Sequence, residues 1–124
     1  MESIGLVIVS HSKHIAEGVV ELISKVAKDV PITYVGGTEG GGIGTSFDQV
    51  DRVVSENPAD TLLAFFFLGS AKMNLKMVTD FSDKSIIINR VPIVEGAYNA
   101  AALLQAGAEL SVIQTQLAEL EINK

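Results

Sequence analysis

The chain has 124 residues and no cysteine, and its 15 acidic and 9 basic side chains give a formal charge of −6. That length fits a single domain, residues 1–124. The absent thiols exclude disulfides, thiolate metal ligands and cysteine nucleophiles, and the acidic balance with scattered Lys and Arg argues against nucleic acid. Nearly half the residues are hydrophobic, but the apolar runs are short and interrupted and no basic-then-apolar leader opens the chain, so no membrane span is expected and a soluble, cytoplasmic protein is.

Residues 4–9 are a continuous apolar run that reads as a buried strand, and Ile15, Val19, Leu22, Ile23 and Val26 follow at helical spacing. Gly18, inside that helix, suggests close packing. After Pro31 a second strand is expected over 32–35, running into the glycine-rich stretch 36–44. The next helix should start at Thr45 or Ser46 as N-cap, with Asp48 or Gln49 placed for a capping box and Phe47, Val50, Val53 and Val54 on its apolar face. Asn57-Pro58 ends it. Residues 61–68 are apolar throughout, the pattern of a central parallel strand covered on both faces. Met73, Met77, Val78 and Phe81 suggest a third helix, 85–91 a fourth strand, 94–104 a fourth helix closed by Gly107, and 111–120 a last helix with Val112, Ile113, Leu117 and Leu120 on one face. Strand and helix alternating four times predict an α/β fold: a three-layer sandwich with a mainly parallel sheet of about four strands and helices on both faces.

In such a sheet the carboxyl ends of the strands and the amino ends of the following helices share one crevice. His11 falls there, between the first strand and the first helix. Imidazole offers an unprotonated nitrogen near neutral pH, so beside an anion site it suits proton transfer or phosphoryl acceptance. A strand-end histidine alone is more often a hydrogen bond to a loop. What shifts the balance is that four small-residue loops converge on the same end: Ser10-His11-Ser12, the glycine loop through Gly44-Thr45-Ser46, Leu68-Gly69-Ser70-Ala71 and Pro92-Ile93-Val94-Glu95-Gly96. Their amides and hydroxyls can hold an anion without a lysine.

Other chemistries fit less well. Gly36 and Gly41, or Gly37 and Gly42, have Walker spacing, but Gly42 or Ile43 stands where the lysine should be. The dinucleotide fingerprint is absent after the first strand. His11 and His14 lack a third ligand at metal-binding spacing, and no metal site is expected; His14 reads as a helix surface residue. No nucleophile elbow surrounds Ser70 or Ser46.

Together, Val9-Ser10-His11-Ser12, Gly42-Ile43-Gly44-Thr45-Ser46, Leu68-Gly69-Ser70-Ala71 and Pro92-Ile93-Val94-Glu95-Gly96 resemble the EIIA domains of mannose-class phosphotransferase systems, and more closely the phosphotransfer subunits of phosphoenolpyruvate-dependent dihydroxyacetone kinases. The resemblance covers essentially the whole chain. It implies that His11 accepts a phosphoryl group from HPr and passes it to ADP on the ADP-binding kinase subunit, where ADP and Mg belong to the partner and this chain carries only a covalent phosphohistidine. Ser12, Gly44, Thr45, Gly69, Ser70 and Ala71 would line the phosphoryl pocket, and a homodimer is expected. The resemblance also implies an aspartate two residues before Gly69 to orient the imidazole. This chain has Phe67 there, which leaves Ser70, Thr45 or a backbone carbonyl for that role. The alternatives are a sugar-transport EIIA, which shares the first chemical step, and a non-catalytic anion-binding module, for which Phe67 is the best argument.

Overall fold

A computed structural model describes residues 3–124. In chain order its elements are β1 (Ile4–Ser10), α1 (Lys13–Ser24), β2 (Ile32–Gly36), α2 (Phe47–Glu56), β3 (Thr61–Phe66), α3 (Gly69–Phe81), β4 (Ser85–Asn89), α4 (Ile93–Gln105) and α5 (Leu110–Ala118). The strands form one parallel sheet in the order β2-β1-β3-β4. This is the expected α/β three-layer sandwich.

Strand alternation divides the core in two. Leu6 and Ile8 of β1 and Leu63 and Phe65 of β3 face Val19 and Ile23 of α1, Ala97 and Ala100 of α4, and Ile113 and Leu117 of α5. Val7 and Val9, with Leu62, Ala64 and Phe66, face Val50, Val53 and Val54 of α2 and Ala71, Leu75 and Val78 of α3. Both faces of the two central strands are therefore covered, which is why β1 and β3 read as unbroken apolar runs.

Several details depart from the expectations. β3 stops at Phe66, two residues early, because its register with β1 ends at Val9 opposite Phe66 and with β4 at Asn89 opposite Phe65. Phe67 and Leu68 thus have no strand to pair with and emerge as an exposed apolar rim, 40% and 53% accessible. α3 buries Ala71, Leu75 and Val78, while Met73, Met77 and Phe81, whose spacing with Val78 suggests the helix, are exposed. Val112 on α5 and Leu22 on α1 also face outward. Gly18 has open space where a Cβ would stand, so it does not mark close packing.

Candidate functional site

The order β2-β1-β3-β4 puts a topological switch point between β1 and β3, whose following connections leave toward opposite faces. A crevice opens outside the carboxyl ends of two such strands. His11 follows β1 and Ser70 stands in the first turn of α3 after β3. The sequence keeps them 59 residues apart, and the sheet brings His11 Nε2 to 2.5 Å from Ser70 Oγ.

Local chemistry fixes the backbone of His11. The buried Ser10 hydroxyl accepts the Ser12 N–H at 3.1 Å, and the Ser12 hydroxyl caps α1 by accepting the Ile15 N–H at 3.4 Å. Gly36, at the end of β2, is required where it stands: a Cβ there would lie 2.4 Å from the Ser12 carbonyl oxygen and 2.6 Å from Lys13 Cα. From the other side the glycine loop folds back, and the Gly44 N–H donates to the His11 carbonyl at 2.9 Å. Gly44 has φ +142, a conformation that favours glycine. The amide of Gly44 is therefore already engaged in holding the histidine.

Next in the chain, Thr45 Oγ1 accepts from Asn74 Nδ2 of α3 at 3.3 Å. Ser46 is the N-cap of α2: its hydroxyl accepts the Gln49 N–H at 3.3 Å and donates to Gln49 Oε1 at 3.2 Å, a variant of the expected capping box. By contrast no side chain caps α3, so the N–H groups of Gly69 and Ser70 open its first turn without a side-chain acceptor. Ala71 is fully buried beneath them.

The imidazole is held unevenly. Nε2 meets Ser70, whereas Nδ1 is buried without a hydrogen-bond partner. The orienting acid implied by the resemblance is replaced by Phe67, which offers no acceptor. Of the three substitutes considered for it, only Ser70 bonds the ring, and it does so at the other nitrogen.

The fourth loop plays another part. A Cβ on Gly96 would fall 2.2 Å from Val91 Cγ2, so this glycine lets α4 approach the end of β4. His14 is exposed on α1. Among the described residues no group of three or more His, Asp or Glu is placed to hold a metal ion, and no helix is long and apolar enough to cross a membrane. Sequence reading missed Asn74, which lies in no motif.

A histidine and a serine thus meet at the switch point beside an uncapped helix start, an arrangement that can hold an anion next to an imidazole. The model of the EIIA-man family, described as PTS system fructose IIA component, matches residues 5–114. The chain belongs to that family. Within it the chain falls with the DhaM subunits of phosphotransferase-dependent dihydroxyacetone kinases. It is 53% identical over 120 residues, covering 97% of this chain and 98% of the other, to the phosphotransferase subunit DhaM of the PTS-dependent dihydroxyacetone kinase of Lactococcus lactis subsp. lactis. It is 49% identical over 118 residues, 95% of each chain, to the phosphoryl donor subunit DhaM of PEP-dependent dihydroxyacetone kinase 1 of Listeria innocua serovar 6a. Among solved structures, a protein of unknown function superposes with TM-score 0.82 at 28% identity, covering 98% of this chain and 95% of the other. A sigma-54 interaction domain protein from Enterococcus faecalis shares the fold, with TM-score 0.73 at 10% identity over 95% and 90% of the two chains.

Proposed function

We propose that the protein is a phosphohistidine relay in which His11 takes a phosphoryl group from HPr and hands it to ADP. The ADP and its Mg are held on the ADP-binding subunit of a dihydroxyacetone kinase, and the regenerated ATP phosphorylates dihydroxyacetone on a third subunit. This chain acts as a single cytoplasmic domain in a homodimer. The observation that carries the reading is the His11–Ser70 pair at the switch point, in a chain about half identical to DhaM subunits.

The burial of Nδ1 leaves Nε2 as the attacking nitrogen. For that its lone pair must be free, so the ring proton sits on Nδ1 and the Ser70 hydroxyl donates to Nε2 in the resting state. The Nε2 lone pair forms the bond to phosphorus as the bond from phosphorus to the donor breaks. The Ser70 hydroxyl then turns to a phosphoryl oxygen, joined by the amides of Gly69 and Ser70 at the start of α3, where the helix dipole favours negative charge. Ser12 and Thr45 supply further hydroxyls around it, Ala71 closes the pocket floor, and Gly44 keeps the histidine in place. In the second step an ADP phosphate oxygen attacks in line, the N–P bond breaks, and imidazole leaves with its lone pair restored.

Phe67 favours a second reading, a non-catalytic anion-binding module, because Nδ1 then lacks the acid that would stabilise a charged ring. One experiment separates the two. Intact mass is measured after incubation with phosphoenolpyruvate, enzyme I and HPr, for wild type and His11→Ala. A single acid-labile phosphoryl adduct, absent from His11→Ala and chased off by the ADP-loaded kinase subunit, is the expected result. A folded wild type without adduct would overturn the relay and leave the binding module.

A further inference from the structure

The carbonyls of Ala64 and Phe66 lie two residues apart on β3 and so point to the same side, toward β4. The ladder with β4 ends at Phe65 opposite Asn89, and side chains add to that edge at and just beyond its last pair. Asn89 Nδ2 donates to the Ala64 carbonyl at 3.2 Å, and the Phe66 carbonyl is taken at 2.5 Å by the ammonium of Lys124. The same ammonium sits 4.4 Å from the centre of the Phe66 ring, within cation–π range.

Lys124 arrives there on a short return segment, 119–124, that leaves α5 and crosses the end of β4. The Ile122 N–H donates to the Arg90 carbonyl at 2.8 Å, and Arg90 pairs with Glu121 at 2.9 Å. The ion pair is half exposed and contributes little, so the backbone bond is the firmer anchor. At its far end the segment is gripped a second time: Lys72 Nζ, in the first turn of α3, donates to the Lys124 backbone oxygen at 2.9 Å. Residue 124 thus touches both ends of the turn 66–72, and Ser70 lies between those ends.

We propose that Lys124 is a positioning residue for His11, clamping the turn 66–72 so that Ser70 is held against the imidazole. The need for a clamp follows from the turn itself. Phe66 and Ala71 are buried at either side, but Phe67 and Leu68 between them are exposed and have no strand partners, and α3 has no side-chain cap, so the stretch that carries Ser70 lacks an anchor of its own on the β4 side. Burial, which pushes the pKa of Lys124 below its usual 10.5, is the cost of seating an ammonium on that carbonyl.

The proposal rests on the relay reading, so its test includes a readout that does not depend on phosphorylation. The ring nitrogens of His11 are followed by long-range proton–nitrogen NMR in wild type, Ser70→Ala, Lys124→Met, Lys124→Arg and Lys72→Met, with folding checked by circular dichroism. In Lys124→Met the Nε2 resonance should move toward its position in Ser70→Ala, and Lys124→Arg should bring it most of the way back. Phosphorylation of His11 should slow about tenfold in Lys124→Met, the scale of a small misplacement of reacting groups. Should Lys124→Met fail to fold, Lys72→Met releases the other end of the clamp and reads the same resonance. An Nε2 resonance in a folded variant that coincides with wild type would overturn the proposal. If wild type takes no phosphoryl group, the relay reading falls, and the resonance comparison still decides whether Lys124 positions the pair.

Discussion

The two ring nitrogens of His11 meet different surroundings, and the consequences are measurable one residue at a time. Ser70 Oγ holds Nε2 at 2.5 Å. In the proposed relay, removing that hydroxyl takes away both the group that aims the lone pair and a donor to the arriving phosphoryl oxygen. Ser70→Ala should slow His11 phosphorylation about 100-fold, the lower end of what losing one preorganised donor costs. Since Ser70 is exposed, the stability to urea should stay within about 0.5 kcal/mol of wild type. A rapid-quench time course beside an equilibrium unfolding curve checks both, and an unchanged rate would remove Ser70 from the mechanism. At Nδ1 the situation is reversed, because a buried N–H without an acceptor costs about 1–3 kcal/mol, and phosphorylation adds positive charge to the ring. Phe67→Asp restores an acid at the position where the family resemblance implies one. A carboxylate reaching Nδ1 should raise the equilibrium ratio of phosphorylated to free protein about tenfold at a fixed donor ratio, from a charge-assisted bond of about 1.5 kcal/mol. Titration of the adduct against phosphorylated and free HPr measures it. No change would mean that a side chain at 67 does not reach the ring.

At the scale of elements, what was legible in the sequence follows from which signals are local. β1, β2 and the start of α2 carry their own punctuation: an apolar run, Pro31, and Ser46 with Gln49 three residues on. The end of β3 does not. Phe65, Phe66, Phe67 and Leu68 are uniformly apolar, and only the lengths of β1 and β4 decide that pairing stops at Phe66. The existence of α3 is legible, but which of its stripes is packed is not, for a related reason. Met73, Met77 and Phe81 form a valid helical stripe, but Ala71, Leu75 and Val78 form another, and it is this second stripe that packs into the core with Leu62, Ala64 and Phe66 of β3. The difference is directly testable. Met73→Gln and Met77→Gln should each change stability by less than about 0.5 kcal/mol, as exposed substitutions do. Leu75→Ala, on the buried stripe, should cost about 2–5 kcal/mol. Chemical denaturation of the three variants settles which face is packed, and comparable losses in all would contradict the observed orientation of α3. The candidate site divides the same way. His11 announces itself at a strand–helix junction, and Ser70 enters through its motif, but the bond between them and the grip of Lys124 depend on strand order, which no local pattern encodes.

Across the whole molecule, the sheet separates the chemistry from a second polar anchor. The site occupies the carboxyl end of β1 and β3, while Asn57 is buried at the opposite end, between the segments that enter β1, β2 and β3. Its side-chain N–H groups donate to the Leu6 carbonyl at 3.0 Å, with longer bonds to the Pro31 carbonyl and Thr33 Oγ1, and its Oδ1 accepts the Ala59 N–H at 3.0 Å. Lys84 adds a bond to the Asn57 carbonyl. Asn57 therefore ties three strand entrances together, and Asn57→Ala would leave the buried Ala59 N–H without its acceptor and the Leu6 carbonyl without its side-chain donor, a loss of about 1–3 kcal/mol. If the sheet is rigid along its length, that loss should lower the unfolding midpoint without altering chemistry at the far end. Well below that midpoint, the rate of His11 phosphorylation and the Nε2 resonance should both match wild type. A slower transfer in a fully folded Asn57→Ala would instead mean that the relative heights of β1 and β3, which decide whether Ser70 can reach His11, are set from the amino end of the sheet. The positioning of the pair would then belong to the register of the whole sheet and not to the crevice and its clamp.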